Sequence, residues 1–528
     1  HAHLLAMPLT FLSLSAALAV VLRRSSSQRW RGRLAALPLL LLWALAIGAM
    51  RTTNTWDVPP HLLIVLGALV IGAVTGGKRP VWLVILDILW QFALVLVLSW
   101  WLLYAPFWAS YGSFYNSLAV WTGTRTPLWA YLVVHGLFLF AIVSYLAVRV
   151  AGDRRRDPLL RRLGLSVRYR GQRRRLARAA RIAGARGVPV SRIVWFVPVG
   201  LALLVIFLLI PGLVAFTQPN ADAAASGAHA YRGLVVLALG VPFGLMGLLL
   251  LFRPRISQRE RLWTYLVLLG LAMSLGVEVI VIQGDIGRMN TVFKFYLQVW
   301  LLWGVAAAAA LAWIVPRVRR WPRGQVLWTG VLVALLLVAA LYPPLATAAK
   351  VQDRFDPSLG PGLDGWAYME TATYWDPVGE QWGEPGGVQY ELKWDLEAIH
   401  WLLDNVVGTP VILEGHVPEY RWGARYSINT GLPTVLGWNW HQRQQRAAAD
   451  QQEIWDRAAD VTTIYDALGT MQIEALLERY DVRYIVVGPL ERAYYDEAGL
   501  RKFDRMVDEG SARIAFANEG VTIYEVIR

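Results

Sequence analysis

Hydrophobic positions dominate the first two thirds of the chain. They gather in ten runs of membrane-spanning length or close to it, at about 4–22, 34–50, 60–76, 81–103, 128–150, 193–216, 232–252, 262–282, 291–315 and 326–347. Two kinds of polar segment alternate between them. One kind is basic: Arg23 to Arg33, Lys78 with Arg79, the fourteen arginines from Arg154 to Arg192, Arg253 to Arg261, and Arg317 to Arg323. The other kind is nearly neutral: "RTTNTWDVPP", "YAPFWASYGSFYNSLAVWTGTRTP", the stretch near Asp222, and "QGDIGRMN". Basic loops stay in the cytoplasm. This alternation therefore places every neutral loop, and the chain after the tenth run, on the outer face. The predicted fold class is mainly α, a polytopic bundle of about ten spans over residues 1–350.

Beyond the last run the pattern changes. "WDLEAIHWLLDNV" has helical spacing, "TPVILEG" reads as a buried strand, and "VRYIVVGPLER" is a strand entering a helix. "ARIAFANEGVTIYEVI" predicts a terminal hairpin turning at Asn518 and Gly520. Residues 391–528 are thus expected to form a small extracytoplasmic α/β domain. Residues 351–390, rich in Gly, Pro and Trp, read as an irregular connector.

Charge sharpens this division. The net charge of +14 is a sum of opposites: residues 353–528 hold 15 basic and 29 acidic side chains, and those before them 36 and 8. Basic charges set between spans do not make a nucleic-acid surface. The expected partner is the lipid bilayer. The chain has no cysteine, so thiolate metal sites are excluded. His1 lies almost against an apolar run, which reads as part of a longer protein.

Few carboxylates are available for outer-face chemistry in the membrane half: Asp57, Asp222, Glu278 and Asp285. Asp57, Glu278 and Asp285 are the catalytic candidates. Glu278 and Lys294 fall about one turn inside facing ends of the eighth and ninth runs. Ionisable groups there cost roughly 2.5–3.5 kcal/mol each, so the two are expected to pair. Arg288, Thr291, Lys294 and Gln298 make one polar stripe that suits an anionic headgroup. Asn290 lies within the same segment. Asn54 and Trp56 flank Asp57. In the tail, "GWNWHQRQQR" offers Trp438 and His441 for stacking and hydrogen bonding. "HAH" presents His1 and His3, which with Asp57 form a candidate divalent-metal site.

"HAHLLAMPLTF", "TNTWDVPP", "RMNTVFKFYLQVW", "TGLPTVLGWNWHQRQQR" and "YIVVGPLER", in this order, resemble the YYY family of multi-pass membrane proteins. That family is similar in architecture to the GT-C superfamily of glycosyltransferases, which use polyprenyl-phosphate-linked sugars. The resemblance implies sugar transfer on the outer face from a lipid-linked donor. It also implies a catalytic acid in a loop ahead of His1. A non-enzymatic transporter or scaffold is the alternative reading. A transporter would show two similar halves and broken helices near the midplane. The sequence shows no such halves, and its polar groups gather near one face.

Overall fold

The computed structural model describes residues 2–23, 36–74, 80–109, 111–112, 117–121, 123–152, 240–253, 256–282, 287–320, 324–360, 362–378, 387–447 and 449–527. The run at 193–216, the start of that at 232–252, the arginines between 154 and 192, Asp222, His1 and Asp285 lie outside the described residues. Within them, six helices are long and apolar enough to cross a membrane, beginning with Ala2–Leu22 (α1). Leu37–Thr53 (α2) is shorter. A 3-10 turn over Thr55–Asp57 leads into Val58–Val74 (α3), and Val81–Val97 (α4) continues as a π-helical segment, Leu98–Leu102. Leu128–Gly152 (α5), Met289–Val318 (α8) and Gly324–Arg354 (α9) complete the six, and the short apolar helix Gly240–Leu251 (α6) and Gln258–Gly276 (α7) lie outside that set.

α5 and α7 both pack on α8. Two tryptophans lock α7 to α8 reciprocally. Trp263 Nε1 donates to Ala306 O at 2.8 Å, and Trp303 Nε1 donates to Val267 O at 3.1 Å. The second bond needs Gly270, where a Cβ would lie 2.3 Å from the Trp303 indole nitrogen. Tertiary packing of this kind holds apolar helices in register where burial from lipid adds little.

One expected helix breaks early. The run at 262–282 is helical only to Gly276. Glycine is a poor helix former, and the β-branched "VEVIVI" that follows prefers extended backbone. Ile280–Ile282 (β2) pairs antiparallel with Leu118–Val120 (β1), drawn from the aromatic loop. Glu278 consequently lies in the turn after α7, not within a helix.

The described residues divide into two compact units, His1–Trp108 with Tyr115–Tyr342, and Ala109–Phe114 with Pro343–Arg528. In the second, Thr373–Asp376 (β3) and Val388–Glu391 (β4) pair antiparallel within the stretch read as an irregular connector. A four-stranded sheet has the order β5-β6-β8-β7, with Val411–Leu413 (β5), Val482–Val487 (β6), Ala512–Ala517 (β7) and Thr522–Val526 (β8). β5 and β6 are parallel and the other pairs antiparallel. Asn518 Oδ1 accepts from Gly520 N and Val521 N at 3.0 and 2.7 Å, closing the terminal hairpin by the side-chain mimicry typical of Asn turns. Lys393–Asn405 (α10), Arg425–Thr430 (α11) and Asn439–Gln445 (α12) belong to this unit, as does the helix after β6, Pro489–Tyr494 (α13).

The carboxyl ends of β5 and β6, where an α/β sheet offers its usual ligand crevice, are filled from within. Arg425, fully buried, donates to Asp395 Oδ1 at 2.9 Å and forks onto Glu491 at 3.1 and 2.9 Å. Glu491 in turn accepts from Gly415 N and Gly488 N at 3.0 and 2.9 Å. Glu414 accepts from Tyr426 N and Ser427 N at 2.8 and 2.9 Å, and burial pushes its carboxyl up to about 7.

Candidate functional site

Two polar clusters form at the end of the bundle where α2 meets α3 and α7 meets α8. In the outer cluster, Arg288 caps the start of α8 and its Nη1 lies 3.0 Å from Glu278 Oε2. The same nitrogen donates to Val277 O at 2.9 Å, and Nη2 donates to Thr126 Oγ1 at 3.0 Å. Thr126 N donates to Glu278 Oε2 at 3.0 Å. Glu278 is fully buried. The ion-pair partner given to Glu278 is therefore Arg288, and the expected pairing with Lys294 is replaced. The reason is the early end of α7, which turns Glu278 toward the β1–α5 connection. Arg288 spends both terminal nitrogens on protein groups, as a structural pin does.

The inner cluster lies deeper. Asn54 Nδ2 donates to Asp57 Oδ1 at 2.8 Å, an i,i+3 bond across the 3-10 turn. Asp57 is 1% exposed. His61 follows four residues later, on the same face of α3. Its Nδ1 is 2.8 Å from Ser13 Oγ, which also accepts from Trp43 Nε1 at 2.8 Å. From α8, Gln298 lies beside both Asp57 and His61, and Lys294 lies within electrostatic reach of Asp57 and His3. Lys294 Nζ stands 5.7 Å from the centre of the Trp56 ring, and His3 packs edge-on against Phe293 at 4.8 Å. The polar stripe of α8 is thus divided between the two clusters: Arg288 belongs to the outer one, and Lys294 and Gln298 to the inner. Thr291 accepts from Ile282 N at 3.1 Å and secures β2. Asn290 is half-buried in the first turn of α8.

Asp57 Oδ2, His61 Nε2 and Gln298 Oε1 are all buried and make no hydrogen bond of normal geometry among the described residues, with Gln298 close enough to act on both Asp57 and His61 as a weak hydrogen-bonding neighbour. A buried polar atom left unpartnered costs about 1–3 kcal/mol, so three in one place mark a site suited to a hydrogen-bonding ligand. Asp57 and Gln298 can only accept at these oxygens. Hydroxyl groups with a nearby anion, held by Lys294, match this set.

Of the residues singled out from the sequence, Asn54, Trp56, Asp57, Lys294, Gln298 and His3 lie in this cluster. Ser13, Trp43 and His61 were not among them. The i,i+4 spacing of Asp57 and His61 was a usable signal, as were the three buried polar positions His3, Thr10 and Ser13 on one stripe of α1. Among the described residues no three His, Asp or Glu side chains are grouped to hold a metal ion, and His1, the third member of the candidate metal site with His3 and Asp57, lies outside them.

Trp438 and His441 fall in the second unit. They make a three-ring cluster with Tyr420, with centroids 5.4 to 5.5 Å apart. Tyr420 has a left-handed backbone, φ 65°, and is 66% exposed. Trp438 Nε1 and His441 Nε2 are buried without hydrogen-bond partners among the described residues. Burial holds the nearby His416 imidazole below its usual range, against the opposing pull of Glu419.

Apolar helices of spanning length, with polar groups confined to their ends and seams, define a multi-pass membrane protein. The chain belongs to the family of uncharacterised membrane proteins described as DUF2298, whose profile matches residues 1–303. No curated protein matches it. Among solved structures it is similar to the archaeal oligosaccharyltransferase AglB from Archaeoglobus fulgidus, solved with an inhibitory peptide and a dolichol-phosphate. The TM-score is 0.33 and the identity 12%, over 92% of this chain. The match takes in 52% of AglB, so this chain spans about half the length of that protein.

Proposed function

We propose that the inner cluster transfers a sugar from a polyprenyl-phosphate-linked donor to an acceptor hydroxyl on the extracytoplasmic side of the membrane. The observation that carries this reading is the unpartnered Oδ2 of Asp57, aimed by Asn54 and accompanied by Lys294. Asp57 takes the acceptor proton as the acceptor oxygen bonds to the anomeric carbon. The bond from that carbon to the phosphate oxygen breaks, and the lipid phosphate leaves as an anion. Lys294 stabilises the charge that develops on it. Gln298 and His61 offer further hydrogen bonds to acceptor or sugar hydroxyls. Trp56, beside Lys294, supplies an apolar face for a pyranose ring. The ring cluster of Trp438, His441 and Tyr420 is proposed as a second sugar-stacking surface, on the tail domain. Arg288 and Glu278 hold the outer wall and touch no reacting atom.

The test uses the full chain purified in detergent, with native mass spectrometry to follow retained polyprenyl phosphate and radiolabelled sugar to follow transfer. Asp57→Asn should retain the lipid and lose transfer by about 100-fold or more, the size of a general-base contribution. Lys294→Gln should weaken lipid retention. Transfer by Asp57→Asn at the wild-type rate, or a wild-type chain that takes up no polyprenyl phosphate, would overturn the reading.

A further inference from the structure

The segment after α4 wraps the outer end of α2 and builds a second charged feature. The guanidinium carbon of Arg51 lies 3.4 Å from the ring centre of Trp100 and 3.2 Å from that of Trp108. Two indoles at that range cannot share one face of a planar group, so they enclose Arg51 from both sides. Trp100 belongs to the π-helical segment, a local widening found often at functional sites. The wrap is anchored by Tyr104, whose hydroxyl donates to Leu45 O at 2.8 Å and whose ring fills the space beside Gly48.

Stacking blocks both faces of the guanidinium and leaves its edge. Along that edge Nη1 donates to Trp100 O at 3.0 Å, while Nε is buried with no hydrogen-bond partner among the described residues. Among the described residues no carboxylate pairs with Arg51. A charge at a helix end in the membrane interface, stripped of water on two faces and given no counter-ion, favours an external anion. The remaining nitrogen of this fixed guanidinium, Nη2, suits an oxygen of a phosphate. The neighbouring residues specify the rest of the ligand. Trp101, Leu102 and Phe107 are exposed at 62%, 65% and 37%, an apolar surface directly beside the sandwich. A phosphate with a hydrocarbon chain meets both features at once.

We infer that Arg51, held between Trp100 and Trp108, is a binding site for the phosphate of an anionic lipid, separate from the Asp57–Lys294 cluster. The site positions one lipid headgroup against the outer end of α2. It does not depend on the proposed sugar transfer, because any lipid phosphate serves.

The test is native mass spectrometry of the full chain released from detergent with dioleoylphosphatidic acid, a lipid that carries neither prenyl chain nor sugar. The wild-type chain should hold one such lipid. Arg51→Gln should lower its affinity roughly 10- to 100-fold, the worth of a charge-assisted hydrogen bond. Arg51→Lys keeps the charge and stem but loses the fork, and should fall between the two. Inorganic phosphate should fail to displace the lipid. The inference is overturned if the wild-type chain retains no phosphatidic acid. It is equally overturned if folded Arg51→Gln and Arg51→Lys retain it as the wild type does, which would make Arg51 an interfacial anchor only. Displacement by inorganic phosphate would overturn the lipid assignment in favour of a free-anion site. Should Arg51→Gln fail to fold, the Lys variant alone decides.

Discussion

Arg425→Met will cost the tail domain about 3–5 kcal/mol, because it strands Asp395 and Glu491 as unpaired charges in the interior. A domain of this size has a total stability of roughly 5–15 kcal/mol, so a large share is lost. The apparent melting temperature should fall by roughly 6–20 °C. Thermal melting of the full chain, read by limited proteolysis of the tail, measures this. The companion variant that also carries Asp395→Asn and Glu491→Gln should recover only part of the loss, since it removes the stranded charges but leaves an amide that can accept from only one of Gly415 N and Gly488 N. A single substitution that costs under about 1 kcal/mol would mean that Arg425 does not hold the domain together.

Arg288→Gln should likewise cost about 3–5 kcal/mol, with Glu278→Gln similar and the double substitution milder than either. The side chains are 11% and 1% exposed, and the lone carboxylate of Glu278 would stay buried at the end of a membrane helix. A double-mutant cycle on thermal stability in detergent measures the coupling. Additive losses would separate the two residues. Lipid-phosphate affinity should stay at the wild-type value in every folded member of the cycle. Lys294→Gln should behave in the opposite way, folding normally and binding lipid phosphate weakly.

Much of the architecture was legible in the chain because its signals are local. Spanning helices follow from runs of apolar residues, and β6, α13 and the β7–β8 hairpin follow from period-two alternation and Asn518 with Gly520. The polar stripe of α8 also followed from spacing alone. Its partners did not. Ser13 meets His61 from 48 positions away, and Thr126 meets Glu278 from 152. Such pairings depend on which helices pack together, and an apolar helix surface says little about that. The misplacement of Glu278 has a different origin. Val277 to Ile282 is apolar enough to continue a span, yet its β-branched residues find a strand partner in Leu118–Val120. Arg51 escaped notice because its neighbours, Trp100 and Trp108, suit an ordinary interfacial belt.

The two ends of α5 and α7 are tied by different chemistry. At one end Glu260 receives Arg149 and the Tyr145 hydroxyl, the latter at 2.8 Å. At the other, the Tyr131 hydroxyl lies 2.9 Å from Ser274 Oγ, and Glu278 accepts from Thr126 N. A helix that slides past its neighbour by one turn moves about 5.4 Å, further than any of these bonds can stretch. Both ends would have to let go together, at the cost of the Arg149 and Tyr145 donors to Glu260 and of the Thr126 donor to Glu278. These ties hold the two helices in one register, so a one-turn slide along their shared axis, of the kind a carrier could use to expose its cargo to each side in turn, would break every one of them.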